Sequence, residues 1–127
     1  MLKIGIGCDI INIERISRLY KEYGARFVQR ILAQKEIEHI FGYTTDESLI
    51  IGYIAKRYAA KEAYAKAVGS GIREEVCFRA IEVLNDESGR PYFNKVTSPY
   101  IADRTYLSLA DDFPFAIAYV LIDKSKT

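Results

Sequence analysis

The chain is predicted to be an α+β domain, with one long helix packed on a mainly antiparallel sheet. Three features point there: helical spacing of apolar residues in the first half, strand-like runs separated by turn signals in the second, and a glycine-punctuated opening strand. Residues 2–8, Leu-Lys-Ile-Gly-Ile-Gly-Cys, form that strand, and Gly5 and Gly7 leave room for another element against one face. Asp9 follows at its end. From Asn12, the residues Ile13, Ile16, Leu19 and Tyr20 recur at helical spacing up to Gly24, and Phe27, Val28, Ile31 and Leu32 resume the rhythm. Two short helices are expected. Lys35 to Phe41 adds a turn or two, and Gly42-Tyr43-Thr44-Thr45-Asp46 supplies a loop and an N-cap for a long helix from about Glu47 to Val68.

After Gly71 the period changes. Cys77 to Leu84 is strand-like, Asn85-Asp86-Glu87-Ser88-Gly89 is a turn, and Pro91-Tyr92-Phe93 begins the returning strand of a hairpin. Ser98-Pro99-Tyr100 opens a brief irregular or helical segment. Tyr106 to Leu109 and Phe113 to Ile122 read as two more strands joined by an acidic turn at Asp111-Asp112. The last of these is apolar on both faces, which predicts that an interface covers it.

A length of 127 residues, half of them hydrophobic, fits one domain spanning 1–127. With 18 basic against 17 acidic side chains, the net charge gives no footprint for nucleic acid or membrane, so neither is expected as a partner. Cys8 and Cys77 form no CxxC pair and fit buried, reduced thiols of a cytoplasmic protein. No segment has the length of a bilayer span and no leader pattern opens the chain, so a soluble, unexported protein is expected.

The stretch Arg57 to Ile72 carries the chemistry. Glu62 and Lys66 stand one helical turn apart on the same face, and Gly69-Ser70-Gly71 then ends the helix in a loop without bulky side chains. Each feature has an ordinary reading by itself. Asp9 would cap the helix that follows it, Glu62 and Lys66 would form a solvated pair, and the glycines would be a plain C-cap.

Taken together, Gly5-Ile6-Gly7-Cys8-Asp9-Ile10 with Ile13-Glu14-Arg15-Ile16, and the later Arg57 to Ile72 stretch, resemble holo-acyl-carrier-protein synthases, the small 4'-phosphopantetheinyl transferases. The likeness extends through Arg30-Ile31-Leu32 with Glu36, the Asn85 to Pro91 turn and Leu107 to Asp112, so it spans nearly the whole chain in order. It implies attack of a carrier-protein serine on the β-phosphate of coenzyme A, with adenosine 3',5'-bisphosphate leaving. Fatty acid biosynthesis is the implied setting; carrier domains of polyketide or peptide synthesis are a variant with the same chemistry. A non-catalytic module binding coenzyme A or an acidic partner is the competing class, and Asp9, Glu62 and Lys66 occurring together argue against it.

By that resemblance Asp9 and Glu62 hold Mg²⁺, a hard cation suited to carboxylate, water and phosphate oxygens, with Mn²⁺ left open. They converge only if the first strand packs on the middle of the long helix, and Gly5, Gly7, Ala59 and Ala63 are small enough to permit it. Lys66 then contacts a phosphate as a point charge. The serine proton goes to Glu62 or to a water on the cation, two options the sequence leaves open. Gly69, Ser70 and Gly71, together with Gly89, Arg90, Pro91, Tyr106 and Ser108, are implied to contact coenzyme A. Tyr106 stands where many relatives have His, so it offers a neutral hydrogen bond in place of a positive charge. The only histidine, His39, is assigned to the surface.

Arg15, Arg18, Lys21, Arg26, Arg30 and Lys35 face a single acid, Glu22, over residues 15–35. Such a basic patch suits a strongly acidic partner, and the resemblance names it as acyl carrier protein. Arg15, Arg18 and Lys21 are implied to receive it, with Phe27 and Ile31 completing an apolar contact. The family also implies a homotrimer with sites between subunits.

Overall fold

The computed structural model describes residues 3–69, 77–97 and 99–125. In chain order it contains β1 (Ile4–Asn12), α1 (Ile13–Tyr23), α2 (Ala25–Ile31), α3 (Gln34–Tyr43), α4 (Glu47–Val68), β2 (Glu82–Asn85), β3 (Pro91–Lys95), β4 (Thr105–Asp112) and β5 (Phe115–Asp123). The expected α+β architecture is present. Strands β1, β5 and β4 form an antiparallel sheet in that order, and β2 and β3 form a separate hairpin.

Helix α4 is the centre of the fold: 13 of its 22 residues are buried, and the stripe through Tyr58, Glu62 and Lys66 stays partly open. Asp46 caps its start by accepting from the Ser48 N–H at 2.9 Å, and Gly69 ends it in the left-handed region at φ 101°, where a side chain would be strained. The helix divides into three neighbouring stripes. Ala59, Ala63 and Ala67 form the small one. A Cβ added at Gly7 would run into the backbone of Ala63 and Ala67, and one at Gly5 into the Ala67 carbonyl. The two glycines thus let β1 lie on the helix backbone. The small residues opposite them are Ala63 and Ala67, one turn later than the expected Ala59 and Ala63.

Strand β1 runs on to Asn12, so Asp9 lies inside the strand and not at its end. Asn12 makes the cap, accepting from the Glu14 N–H at 2.9 Å. Alternation puts Gly5, Gly7, Asp9 and Ile11 on the helix side, paired across with Ile122, Val120, Ala118 and Ala116, all buried. The other sheet face is open, with Ile6 65 %, Ile10 61 % and Tyr119 55 % exposed.

Three boundaries depart from the expectation. The strand expected from Cys77 starts only at Glu82, because Phe78 stacks on Tyr58 of α4 at 5.0 Å and Phe78–Ala80 form a 3-10 turn. Asp111 and Asp112 belong to β4, and the turn falls at Phe113-Pro114, where proline has no N–H for the ladder. Its carbonyl accepts from the Ile13 N–H at 2.7 Å. Neither cysteine is fully buried: Cys8 is half-buried on the outer side of β1 and Cys77 is exposed. No helix among the described residues is long and apolar enough to cross a membrane.

Candidate active site and its family

Asp9 reaches the helix because the two glycines before it on the same face bring β1 down onto α4. The second stripe of α4, Tyr58, Glu62 and Lys66, borders that meeting point. Lys66 Nζ donates to Asp9 Oδ1 at 3.0 Å and to the Cys8 carbonyl at 3.0 Å. Its partner is therefore Asp9, and not the Glu62 of the ordinary reading as a solvated pair. The hydrogen bond to Asp9 holds the half-exposed Lys66 ammonium above the usual lysine range.

Glu62 takes up protons more readily than an ordinary glutamate, chiefly because of burial and secondly because the Asp9 charge repels its own, with Lys66 and Arg15 working the other way. Two repelling carboxylates with hard oxygen donors fit a divalent cation. Among the described residues no group of three or more acidic, His or Cys side chains is gathered for a metal, so further ligands must come from substrate oxygens and water. The electrostatics are directly testable. Asp9→Asn is expected to lower the Glu62 pKa and Lys66→Met to raise it, read by carboxyl carbon NMR titration without added cation; movement in the opposite senses would break this account.

Arg15, expected to receive the carrier, is exposed on α1. Its guanidinium stands 6.0 Å from the Tyr58 ring and acts on the Glu62 charge, so it lies beside the carboxylates. Tyr58 was not singled out in the sequence, although its place one turn before Glu62 signals it. Arg18 and Lys21 are exposed on α1, and Lys21 approaches Glu47 at 3.9 Å, which offsets part of the patch. Phe27 and Ile31 do not form an exposed apolar contact: they are 8 % and 2 % exposed, because α2 turns its apolar stripe into the core. They line the inside of a groove of about 590 Å³ whose rim carries Arg26, Arg30 and Tyr23.

The hairpin tip is held by Asp86, whose Oδ1 accepts from the Ser88 N–H, the Ser88 hydroxyl and the Arg90 N–H at 2.8–2.9 Å. Gly89 takes φ 87°. Arg90, Pro91, Tyr106 and Ser108 share a second groove between this tip and the free edge of β4. Tyr106 and Ser108 alternate with the inward Thr105, Leu107 and Leu109, so they face away from α4 and do not meet Asp9 and Glu62 of their own chain. Gly69 is exposed at the end of α4, whereas Ser70 and Gly71 lie outside the described residues. His39 is on the surface, as expected, stacked on Tyr43.

Comparisons with known proteins agree with this frame. Residues 5–118 match the model of the 4'-phosphopantetheinyl transferase superfamily. A holo-[acyl-carrier-protein] synthase of Wolbachia sp. subsp. Drosophila simulans (strain wRi) is 44 % identical over 118 residues, covering 93 % of this chain and 96 % of the relative. The crystal structure of the holo-[acyl-carrier-protein] synthase from Neisseria meningitidis superimposes with a TM-score of 0.80 at 38 % identity, covering 94 % of this chain and 98 % of the other. The enzyme from Bacillus anthracis str. Ames, solved in complex with CoA (3',5'-ADP), gives 0.83 at 38 % identity and covers 98 % and 100 %. With the family model matched over nearly all of its length and a relative at this identity, the chain belongs to the 4'-phosphopantetheinyl transferase superfamily.

Proposed function

We infer that the protein transfers 4'-phosphopantetheine from coenzyme A to a serine of apo-acyl carrier protein, serving fatty acid biosynthesis in the cytoplasm as one domain. The observation that carries this reading is the meeting of Asp9, Glu62 and Lys66 at the contact of β1 with α4, in a chain of this family. The serine oxygen attacks the β-phosphorus, and the bond to the bridging oxygen breaks, leaving adenosine 3',5'-bisphosphate. Asp9 and Glu62 would hold Mg²⁺, which supplies neutralisation of the pyrophosphate charge when bound. Lys66 orients Asp9 and presents an ammonium to phosphate oxygens, where fixed positive charge favours the charge developing in transfer. Glu62 is the carboxylate that would receive the serine proton. Mass spectrometry of apo-carrier incubated with coenzyme A, Mg²⁺ and the protein tests the reading; no pantetheinyl mass gain would refute it.

Arg15, Arg18 and Lys21 are assigned to the acidic carrier, with Arg26 and Arg30 at the groove beside them. Arg18→Glu should raise the KM for carrier about fivefold, in line with ~1 kcal/mol for an exposed charge pair, and weaken its salt dependence. An equal rise in the KM for coenzyme A would remove α1 from docking.

A homotrimer is the proposed assembly, with coenzyme A lying between subunits. The groove of Arg90, Pro91, Tyr106 and Ser108 faces away from the carboxylates of its own chain, and the exposed Ile6, Ile10 and Tyr119 face needs a cover. Light scattering should report three times the chain mass, and Ile6→Asp should lower it. A wild-type monomer that transfers fully would overturn the shared site.

A further inference from the structure

The third stripe of α4 carries polar groups inward. Lys61 and Glu36 are wholly buried, with Lys61 Nζ 2.6 Å from Glu36 Oε1. Lys61 also donates to the Ile31 carbonyl at 2.8 Å, while Glu36 accepts from the Ala33 N–H at 2.7 Å and the Val83 N–H at 2.8 Å. One ion pair therefore joins the end of α2, the start of α3, the middle of α4 and the first strand of the hairpin. One turn earlier Arg57 donates to Asn85 Oδ1 at 2.5 Å, and Asn85 Nδ2 donates to the Gly89 carbonyl at 3.0 Å. Further along, the Tyr64 hydroxyl and Thr97 Oγ1 are 3.0 Å apart. The hairpin is thus clipped to α4 through polar contacts from its first strand, directly at Asn85 and by way of Glu36 at Val83, and from the segment that follows its second strand.

Apolar residues of similar volume could fill the Glu36–Lys61 site without loss of stability, so stability alone does not account for a buried charge pair. We propose that Glu36 and Lys61 are positioning residues that fix the roll of α4 and the seat of the β2–β3 hairpin on it. Successive helix residues project about 100° apart, so pinning Lys61 towards the hairpin sets Glu62 towards β1 and Asp9. The same pair holds Val83, and with it the Gly89-Arg90-Pro91 tip, at one distance from Glu62. The kinetic consequence rests on the transferase reading; the seating of the hairpin does not.

The test compares wild type, Glu36→Gln, Lys61→Met and the double Glu36→Met/Lys61→Met by thermal melting, transfer kinetics and amide exchange at Val83. Lys61→Met alone should melt lower, because it leaves a buried carboxylate unpaired. The double variant should recover most of that loss, yet keep kcat/KM for coenzyme A about tenfold or more below wild type, as misplaced reacting groups do. Its Val83 amide should exchange about tenfold faster or more, having lost its acceptor. Glu36→Gln keeps the shape and removes one acceptor oxygen, so it carries the same two readouts if the double variant does not fold. Val83 exchange at the wild-type rate overturns the proposal, as does kcat/KM within about twofold of wild type in a variant whose Val83 exchanges faster. Wild type that transfers nothing would sink the transferase reading instead, and Val83 exchange would still decide the seating.

Discussion

Glu62→Gln is expected to lower transfer by about 10²-fold or more while the cation-free protein melts at or above the wild-type temperature. The two effects have one cause. Glu62 in the folded protein holds its proton above the ordinary glutamate range, so it adds stability below the unfolded-state pKa, and this is lost as pH rises through the folded value. Near neutral pH its ionised form is therefore a cost, set by burial and by repulsion from Asp9 and offset only in part by Lys66 and Arg15. Glutamine keeps the shape and removes that cost, but it also removes half of the negative charge available to a divalent cation. Function here opposes stability. Added Mg²⁺ should raise the melting temperature of wild type and have less effect on the variant. Near-wild-type transfer by Glu62→Gln, or a clear fall in its cation-free melting temperature, would remove Glu62 from this role.

Gly7→Val should be the most damaging single change to the fold. Its Cβ would overlap the Ala63 carbonyl and come within 2.7 Å of the Ala67 nitrogen, backbone atoms that cannot rotate aside. Overpacking of this kind costs ~1–3 kcal/mol or more, and in a chain of this size ~3 kcal/mol corresponds to about 10 °C in Tm. Lifting β1 from α4 would also draw Asp9 away from Glu62, so the protein that still folds should lose transfer. Gly42 is the control, since a Cβ there meets nothing within 4 Å. Gly42→Ala, near the end of α3, should leave Tm unchanged or raise it slightly. Wild-type melting and activity in Gly7→Val would mean that β1 does not lie on the helix backbone as described.

Local signals in the chain were sufficient for the elements that answer to local physics. Helix α4 was legible from Asp46 to Gly69 because a cap, an alanine-rich run free of proline and a left-handed glycine are properties of neighbouring residues. The hairpin turn was legible for the same reason, with Asp86 satisfying its own loop. Errors arose where distant groups competed. The 3-10 turn at Phe78 answers to Tyr58, twenty residues earlier, and Phe27 and Ile31 look like contact residues until α2 is seen packed on the core. Lys66 illustrates the same limit: one turn from Glu62 on the helix, it nevertheless pairs with Asp9, which only the crossing of β1 brings near.

By itself the sequence determined the family and the order of the elements, and it brought Asp9, Glu62 and Lys66 forward as candidates, because motifs and capping signals are written in consecutive residues. Only the tertiary structure decided that Ala63 and Ala67 receive β1, that Arg15 stands beside the carboxylates, and that Tyr106 and Ser108 face away from them. It alone also joined Glu36 to Lys61 and the hairpin. The reason is physical: spacing along a chain fixes which face a side chain occupies on its own element, while packing between elements fixes what that face meets.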